Sequence, residues 1–118
     1  MKSFVKNVRV SPRKMRILAK DLVGKPVVEV MAGLKFVNRS ARPPILSALE
    51  SALANATNNG KVGTETLIVK NVIINEGMKM KRAAKGRNAR TDRGTVVKRT
   101  SHLKIVLEEK GVSNGTKN

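Results

Sequence analysis

The chain has no cysteine, tryptophan or tyrosine, two phenylalanines and a single histidine. Without Cys there is no disulfide frame and no thiolate metal site, which suits a reducing cytoplasm. With Phe4 and Phe36 as the only aromatics, any core must be built from Val, Leu, Ile, Ala and Met. Long apolar runs are also missing. The first ten residues, MKSFVKNVRV, alternate at a strand period instead of forming a signal-like apolar block, so no membrane span or targeting segment is expected.

Acids are scarce too, at 8 Asp and Glu against 25 Lys and Arg. They are scattered, and the one adjacent pair, Glu108–Glu109, falls in a strand pattern that points neighbours to opposite faces. No His, Asp or Glu grouping has metal-ligand spacing. His102 lies within a strand pattern and reads as a surface or core-edge side chain with a backbone partner. GKVG at 60–63 lacks the spacing of a phosphate loop. An enzyme, a metal site, a cofactor and a small-molecule substrate are therefore not expected.

What is present is positive charge. A net charge of +17 on 118 residues is self-repulsive unless a polyanion neutralises it. Nucleic acid is the leading partner, because neutralised phosphates release counterions. The excess is uneven. Residues 77–104 carry ten Lys and Arg and a single acid, Asp92, whereas 1–76 carry thirteen and five.

The length fits one domain, and 40% apolar residues suffice for a modest core. FVKNVRV (4–10) reads as a half-buried strand, with Phe4, Val8 and Val10 on one face. Ser11 and Pro12 open a helix that should run to Val23 and stop at Gly24. Its apolar face is Met15, Leu18, Ala19, Leu22 and Val23, with Arg13, Arg16 and Lys20 opposite. Pro26 starts a second helix carrying Val27, Val30, Met31, Leu34 and Val37. Pro43–Pro44 begin a third, with Ile45, Leu46, Leu49, Ala52, Leu53 and Ala56 on one side and Gly60 at its end. TLIVKNVIIN (66–75) is β-branched and reads as a strand buried over much of its length. TSHLKIVLEE (100–109) alternates, placing Leu103, Ile105 and Leu107 on one face. The layout is α+β, in the order β-α-α-α-β-(basic segment)-β, and the last two strands suggest an antiparallel pair.

Between the last two strands lies KMKRAAKGRNARTDRG (79–94), which cannot build a core. Flanked by strands, it reads as the outer part of a long protruding basic β-hairpin at about 77–99, turning near Gly86–Asn88. If the arms zip up, the tip reaches ~30 Å from the domain. An isolated ribbon is marginal in water, so the hairpin should be mobile until its anionic partner orders it. The domain spans 1–109, and 110–118 reads as a disordered tail. Arg suits bidentate phosphate contacts, and Gly86 with Ala83, Ala84 and Ala89 allows close approach. A second basic group, Arg9, Arg13, Lys14, Arg16 and Lys20, gathers at a strand end and a helix start. Few aromatics argue against a binder that stacks single-stranded bases. Structured RNA, read by shape and backbone, fits better. An architectural DNA-binding protein with a basic β-arm is the alternative. Such arms usually carry an apolar or Pro wedge, which this segment lacks beyond Met80.

Four blocks, VRVSPRKMRILAKDLVGKPV, SALANATNN, NEGMKMKR and KRTSH with a closing strand, resemble the bacterial large-subunit ribosomal protein L-twenty-two family. They occur in the family's order across residues 8–107. The resemblance implies three helices on a small sheet and a hairpin that lines the nascent-peptide exit tunnel. It also implies a structural, rRNA-binding constituent of the cytoplasmic large ribosomal subunit that joins early in assembly. Neighbouring large-subunit proteins and the passing nascent peptide are the further partners, and changes in the hairpin bear on macrolide sensitivity. The basic groups and the matched motifs together give the candidate rRNA-binding residues: Arg9, Arg13, Lys14, Arg16, Lys20, Lys79, Lys81, Arg82, Lys85, Arg87, Arg90, Arg93, Lys98, Arg99, Ser101 and His102. The tunnel-lining tip comprises Met80, Lys81, Arg82, Ala83, Ala84, Lys85, Gly86, Arg87, Asn88, Ala89 and Arg90. In one respect the chain departs from the family. After MKR it lacks the usual Pro-Arg pair, and the segment before KRTSH is longer.

Overall fold

The computed structural model of the chain describes residues 1–84 and 94–111. The elements run β1 (Lys2–Val8), α1 (Pro12–Lys20), α2 (Val27–Leu34), α3 (Arg42–Gly60), a 3-10 turn (Thr64–Thr66), β2 (Leu67–Ala84) and β3 (Gly94–Glu109). The three strands form one antiparallel sheet in the order β1-β3-β2, so the last strand is central. This is the expected α+β architecture with its long hairpin, here made of β2 and β3.

The core is wholly aliphatic apart from Met15. Leu18, Leu22, Val30 and Leu34 from the first two helices and the turn between them meet Ile45, Leu49 and Ala52 of α3 over Leu67, Val69, Leu103, Ile105 and Leu107 of the sheet. β3 alternates as expected, with Leu103, Ile105 and Leu107 turned to the helices. On α3 the small residues Ala48, Ala52 and Ala56 are buried and let the helix approach the sheet closely. Ser3 Oγ donates to the Ala48 carbonyl at 2.7 Å, and the Asn55 side-chain amide donates to the Lys2 carbonyl, tying β1 to α3.

The structure corrects three expectations. Phe4 faces solvent, 54% exposed, whereas Ser3 is buried and Val5 packs on the core. The cause is a bulge. Asn7 adopts φ 54°, and pairing steps from Val5↔Leu103 to Val8↔Ser101, so one extra residue shifts the alternation. Helix α1 ends at Lys20 rather than Val23. The chain then turns so that the Gly24 N–H donates to the Val69 carbonyl and the Val69 N–H to the Lys25 carbonyl, at 2.8 and 3.0 Å. Gly24 makes that turn at φ 83°, where a side chain would be strained. Finally, β2 is buried on one face only, through Leu67, Val69 and Ile74, because all three helices lie on the same side of the sheet.

Both long strands outrun the helices. The radius of gyration is 18.4 Å and the extents are 63 × 38 × 23 Å, against about 13 Å expected for a compact chain of this length. The excess comes from the distal ribbon, where six pairs from Lys79↔Arg99 to Ala84↔Gly94 continue beyond the core. They add about 17 Å at the usual strand rise. The expected turn at Gly86–Asn88 and the tail from 112 onward lie outside the described residues. Lys110, at the foot of the expected tail, donates its backbone N–H to the Thr66 carbonyl at 2.7 Å.

Candidate nucleic-acid interface

A joint separates the packed and unpacked parts of the ribbon. Between Glu76↔Ser101 and Lys79↔Arg99 the pairing shifts by one residue at Gly77–Met78. Thr100 Oγ1 donates to the Met78 carbonyl at 2.7 Å, and Thr100 is almost wholly buried. It lies so close over Gly77 that a Cβ there would stand 2.5 Å from Thr100 Oγ1 and 3.2 Å from its carbonyl carbon. Glycine is needed here for that approach, not for an unusual φ. Next along β3, Ser101 is 0% exposed, and its hydroxyl meets the Val10 carbonyl at 2.9 Å and Met15 Sδ at 3.0 Å. His102 Nδ1 accepts the Asn7 backbone N–H at 3.1 Å, so its neutral ring carries the proton on Nε2.

These contacts recast part of the expected RNA-binding set. The Ser101 side chain is consumed inside the protein and offers no surface to a ligand. His102 keeps a half-exposed ring on the outer sheet face, tilted against Phe4 with centroids 6.3 Å apart, but its Nδ1 serves the β1 bulge. The backbone-partner reading of this His holds. Thr100-Ser101-His102 brace the base of the arm, holding β1, α1 and the Gly77 bulge together.

The basic residues divide among four places. A cleft of about 460 Å³ lies between the start of α1 and the joint, lined by Ser11, Pro12, Arg13, Arg16, Glu76 and Arg99. Ser11 occupies the N-cap position with extended backbone, yet its side chain makes no cap bond. The positive end of the α1 dipole therefore faces the cleft without a side-chain acceptor. Arg16 Nη2 donates to the Ile74 carbonyl at 3.1 Å, which fixes its guanidinium beside the sheet. Lys79 Nζ pairs with Glu76 Oε2 at 2.8 Å, both side chains about half exposed. That hydrogen bond and the charge of Lys79 hold the Glu76 carboxyl below its usual range. A desolvation cost opposes this, and Arg99 and then Arg16 add to the lowering. One carboxylate thus spaces four cations in a small volume.

On the outer sheet face, Arg9 reaches along the arm to Met80 Sδ at 3.6 Å, and Lys6 stands 5.8 Å above the Phe4 ring. The third place is the arm itself. Lys81, Arg82, Ala83, Val96, Lys98 and Arg99 are exposed, and no side chain between Lys79 and Ala84 or between Gly94 and Arg99 is buried. Lys85, Gly86, Arg87, Asn88, Ala89, Arg90 and Arg93 lie outside the described residues. The fourth place is a depression of about 260 Å³ formed by Lys14, Ile17, Arg39, Ser40 and Ala41. Lys14 therefore does not join Arg13 and Arg16. Lys20 sits in the last turn of α1, at the far end from the cleft. Sequence reasoning missed Arg39 and Glu76. Arg39 sits in a connection with no periodicity to flag it, and Glu76 carries the minority charge.

Among the described residues, no three His, Cys, Asp or Glu side chains could hold a metal ion, and no helix is long and apolar enough to cross a membrane. Every buried side-chain polar atom described has a hydrogen-bond partner. The arrangement presents cations along an arm and a cleft, which is the chemistry of polyanion binding.

A small α+β domain that projects a cationic two-stranded arm without a core belongs with proteins built to be embedded in a larger assembly. The family model for ribosomal protein L22p/L17e matches residues 3–108, and the chain belongs to that family. It is similar to the large ribosomal subunit protein uL22 of Oleidesulfovibrio alaskensis, 43% identical over 108 residues, covering 92% of this chain and 96% of that one. The uL22 of Lawsonia intracellularis is 44% identical over 108 residues, with 92% and 95% covered. That of Desulfitobacterium hafniense is 38% identical over 109, with 92% and 94%. The protein is a structural component of the ribosome and not an enzyme.

Proposed function

We propose that this protein is a cytoplasmic large-subunit constituent that binds large-subunit rRNA through the α1 cleft and the arm. In this reading it helps fold the rRNA early in assembly, and the arm lines the nascent-peptide exit tunnel. The observation that carries the reading is the distal ribbon, which is paired, charged and without a single buried side chain. Such a ribbon is marginal alone and gains its packing from a partner. With cations on every side of it, that partner is a polyanion. The names of its relatives support the large subunit as the assembly and rRNA and neighbouring ribosomal proteins as the partners. The tip residues 80–90 are proposed to meet the nascent peptide.

Co-sedimentation of the tagged protein from a cell lysate tests the assignment. Retention on large subunits through a high-salt wash is expected; recovery with chromosomal DNA overturns it. Binding of the isolated protein to in vitro transcribed large-subunit rRNA should fall with salt at a log–log slope of roughly −0.7 to −0.9 per phosphate neutralised.

A further inference from the structure

Both aromatic residues of this chain lie outside its core, and Phe36 is the more exposed of the two at 89%. Phe4 at least leans on His102 and sits under Lys6. A single exposed apolar residue is ordinarily unremarked. Phe36 differs in how it is held and in what surrounds it. The backbone N–H groups of Lys35, Phe36 and Val37 donate in turn to the carbonyls of Ala32, Gly33 and Leu34, at 3.1–3.3 Å. Val37 packs against the core. One guanidinium nitrogen of Arg42 donates to the carbonyls on either side of Phe36, Lys35 at 3.1 Å and Val37 at 3.4 Å, and the Arg42 N–H bonds Arg39. The loop is thus clamped on both flanks of the one large apolar side chain it exposes to water.

Along the chain the charge next to the ring is basic, while the acids Asp21 and Glu29 line a separate depression bordered by Gly33, Leu34 and Val37. Lys35, Arg39 and Arg42 lie within six residues of it, and no acid occurs between Glu29 and Glu50. Arg39 also borders the depression it shares with Lys14 and Ile17. An exposed aromatic face on a braced loop that also carries Lys35 and Arg39 suits an unpaired base: the ring takes the base and the cations take the flanking phosphates.

We propose that Phe36 is a stacking platform for one unpaired nucleobase of the bound RNA, with Lys35 and Arg39 on the adjoining phosphates. This rests on the rRNA-binding reading and adds a contact on the side of the domain carrying α2, apart from the arm. It also makes recognition partly local, where composition alone pointed only to shape and backbone.

The full-length protein and in vitro transcribed bacterial large-subunit rRNA supply the test. Phe36→Ala should bind roughly 5- to 150-fold more weakly with the salt slope unchanged, whereas Arg39→Gln should make the slope shallower. Phe36→Tyr, which keeps an aromatic face, should bind as the wild type does. Phe36→Leu, apolar but without a π-face, should behave like Phe36→Ala. The chain has no Trp or Tyr, so Phe36→Trp installs the only indole. Its emission should be quenched at saturating RNA, and circular dichroism of each variant should match the wild type. Wild-type binding together with full-affinity Phe36→Ala and unquenched Phe36→Trp overturns the platform and leaves the rRNA reading standing. A wild type that does not bind the RNA overturns both.

Discussion

Below the Gly77–Met78 bulge, β3 turns Leu103, Ile105 and Leu107 into the helices, and β2 contributes Leu67, Val69 and Ile74. Above it, the same two strands run on through six further pairs and bury nothing. Backbone pairing continues in both halves. What differs is whether a second layer covers the sheet. Hydrogen bonding alone contributes modestly to stability in water, so apolar burial anchors the lower half, and the upper half depends on whatever it meets. Thr100, Ser101 and His102 stand at the boundary, where their side chains fasten the arm to β1, α1 and its own partner strand.

Breaking the lower half should have the largest effect. Leu103→Ala or Ile105→Ala, at positions with no exposure, should cost about 2–5 kcal/mol in urea unfolding. Val96→Ala on the arm, already exposed, should stay within about 0.5 kcal/mol. If the two cost the same, the division between halves fails. At the joint, Gly77→Ala forces a Cβ against Thr100. It should cost about 1–3 kcal/mol by the same measurement. Deleting residues 80–96 should leave the far-UV circular dichroism of the helices and a cooperative melt, since no core residue is removed.

Charge changes should separate the halves in the opposite sense. Arg82→Gln or Lys98→Gln should leave stability unchanged but reduce the magnitude of the salt slope of rRNA binding by about 0.7–0.9 for each phosphate no longer neutralised. The smallest effect belongs to Glu76. Its folded carboxyl titrates below the unfolded value, so its contribution is present above the unfolded value and is lost as pH falls through the folded one. Carboxylate titration by NMR should find Glu76 below the ordinary Glu range, and Lys79→Ala should move it upward. Glu76→Gln should slightly tighten RNA binding at neutral pH by removing the cleft's one negative charge.

Much of this comparison was legible in the residue order. Alternation in 100–109 identified the buried face of β3, the 3.6-residue period placed the faces of α2 and α3 and that of α1 except for Val23, which lies past the helix end and is exposed, and the charge run marked the arm. Phe4 was misread because its alternation is broken by a bulge that depends on Asn7 entering the left-handed region and on His102 accepting its N–H. The KRTSH block was legible as a motif but not as a joint. A serine close to two basic residues looks like a partner for phosphate until Val10 and Met15 are brought to it from the far end of the chain.

Composition and pattern by themselves determined that this chain makes an aliphatic α+β core and carries an excess of positive charge its own fold cannot neutralise, because both follow from residue type and spacing. Tertiary structure decided which cations share a cleft, which polar side chains are spent inside, and where the sheet stops being covered. Those depend on contacts between residues far apart in the chain. Only packing, with its bulges and its close approach at Gly77, brings such residues together.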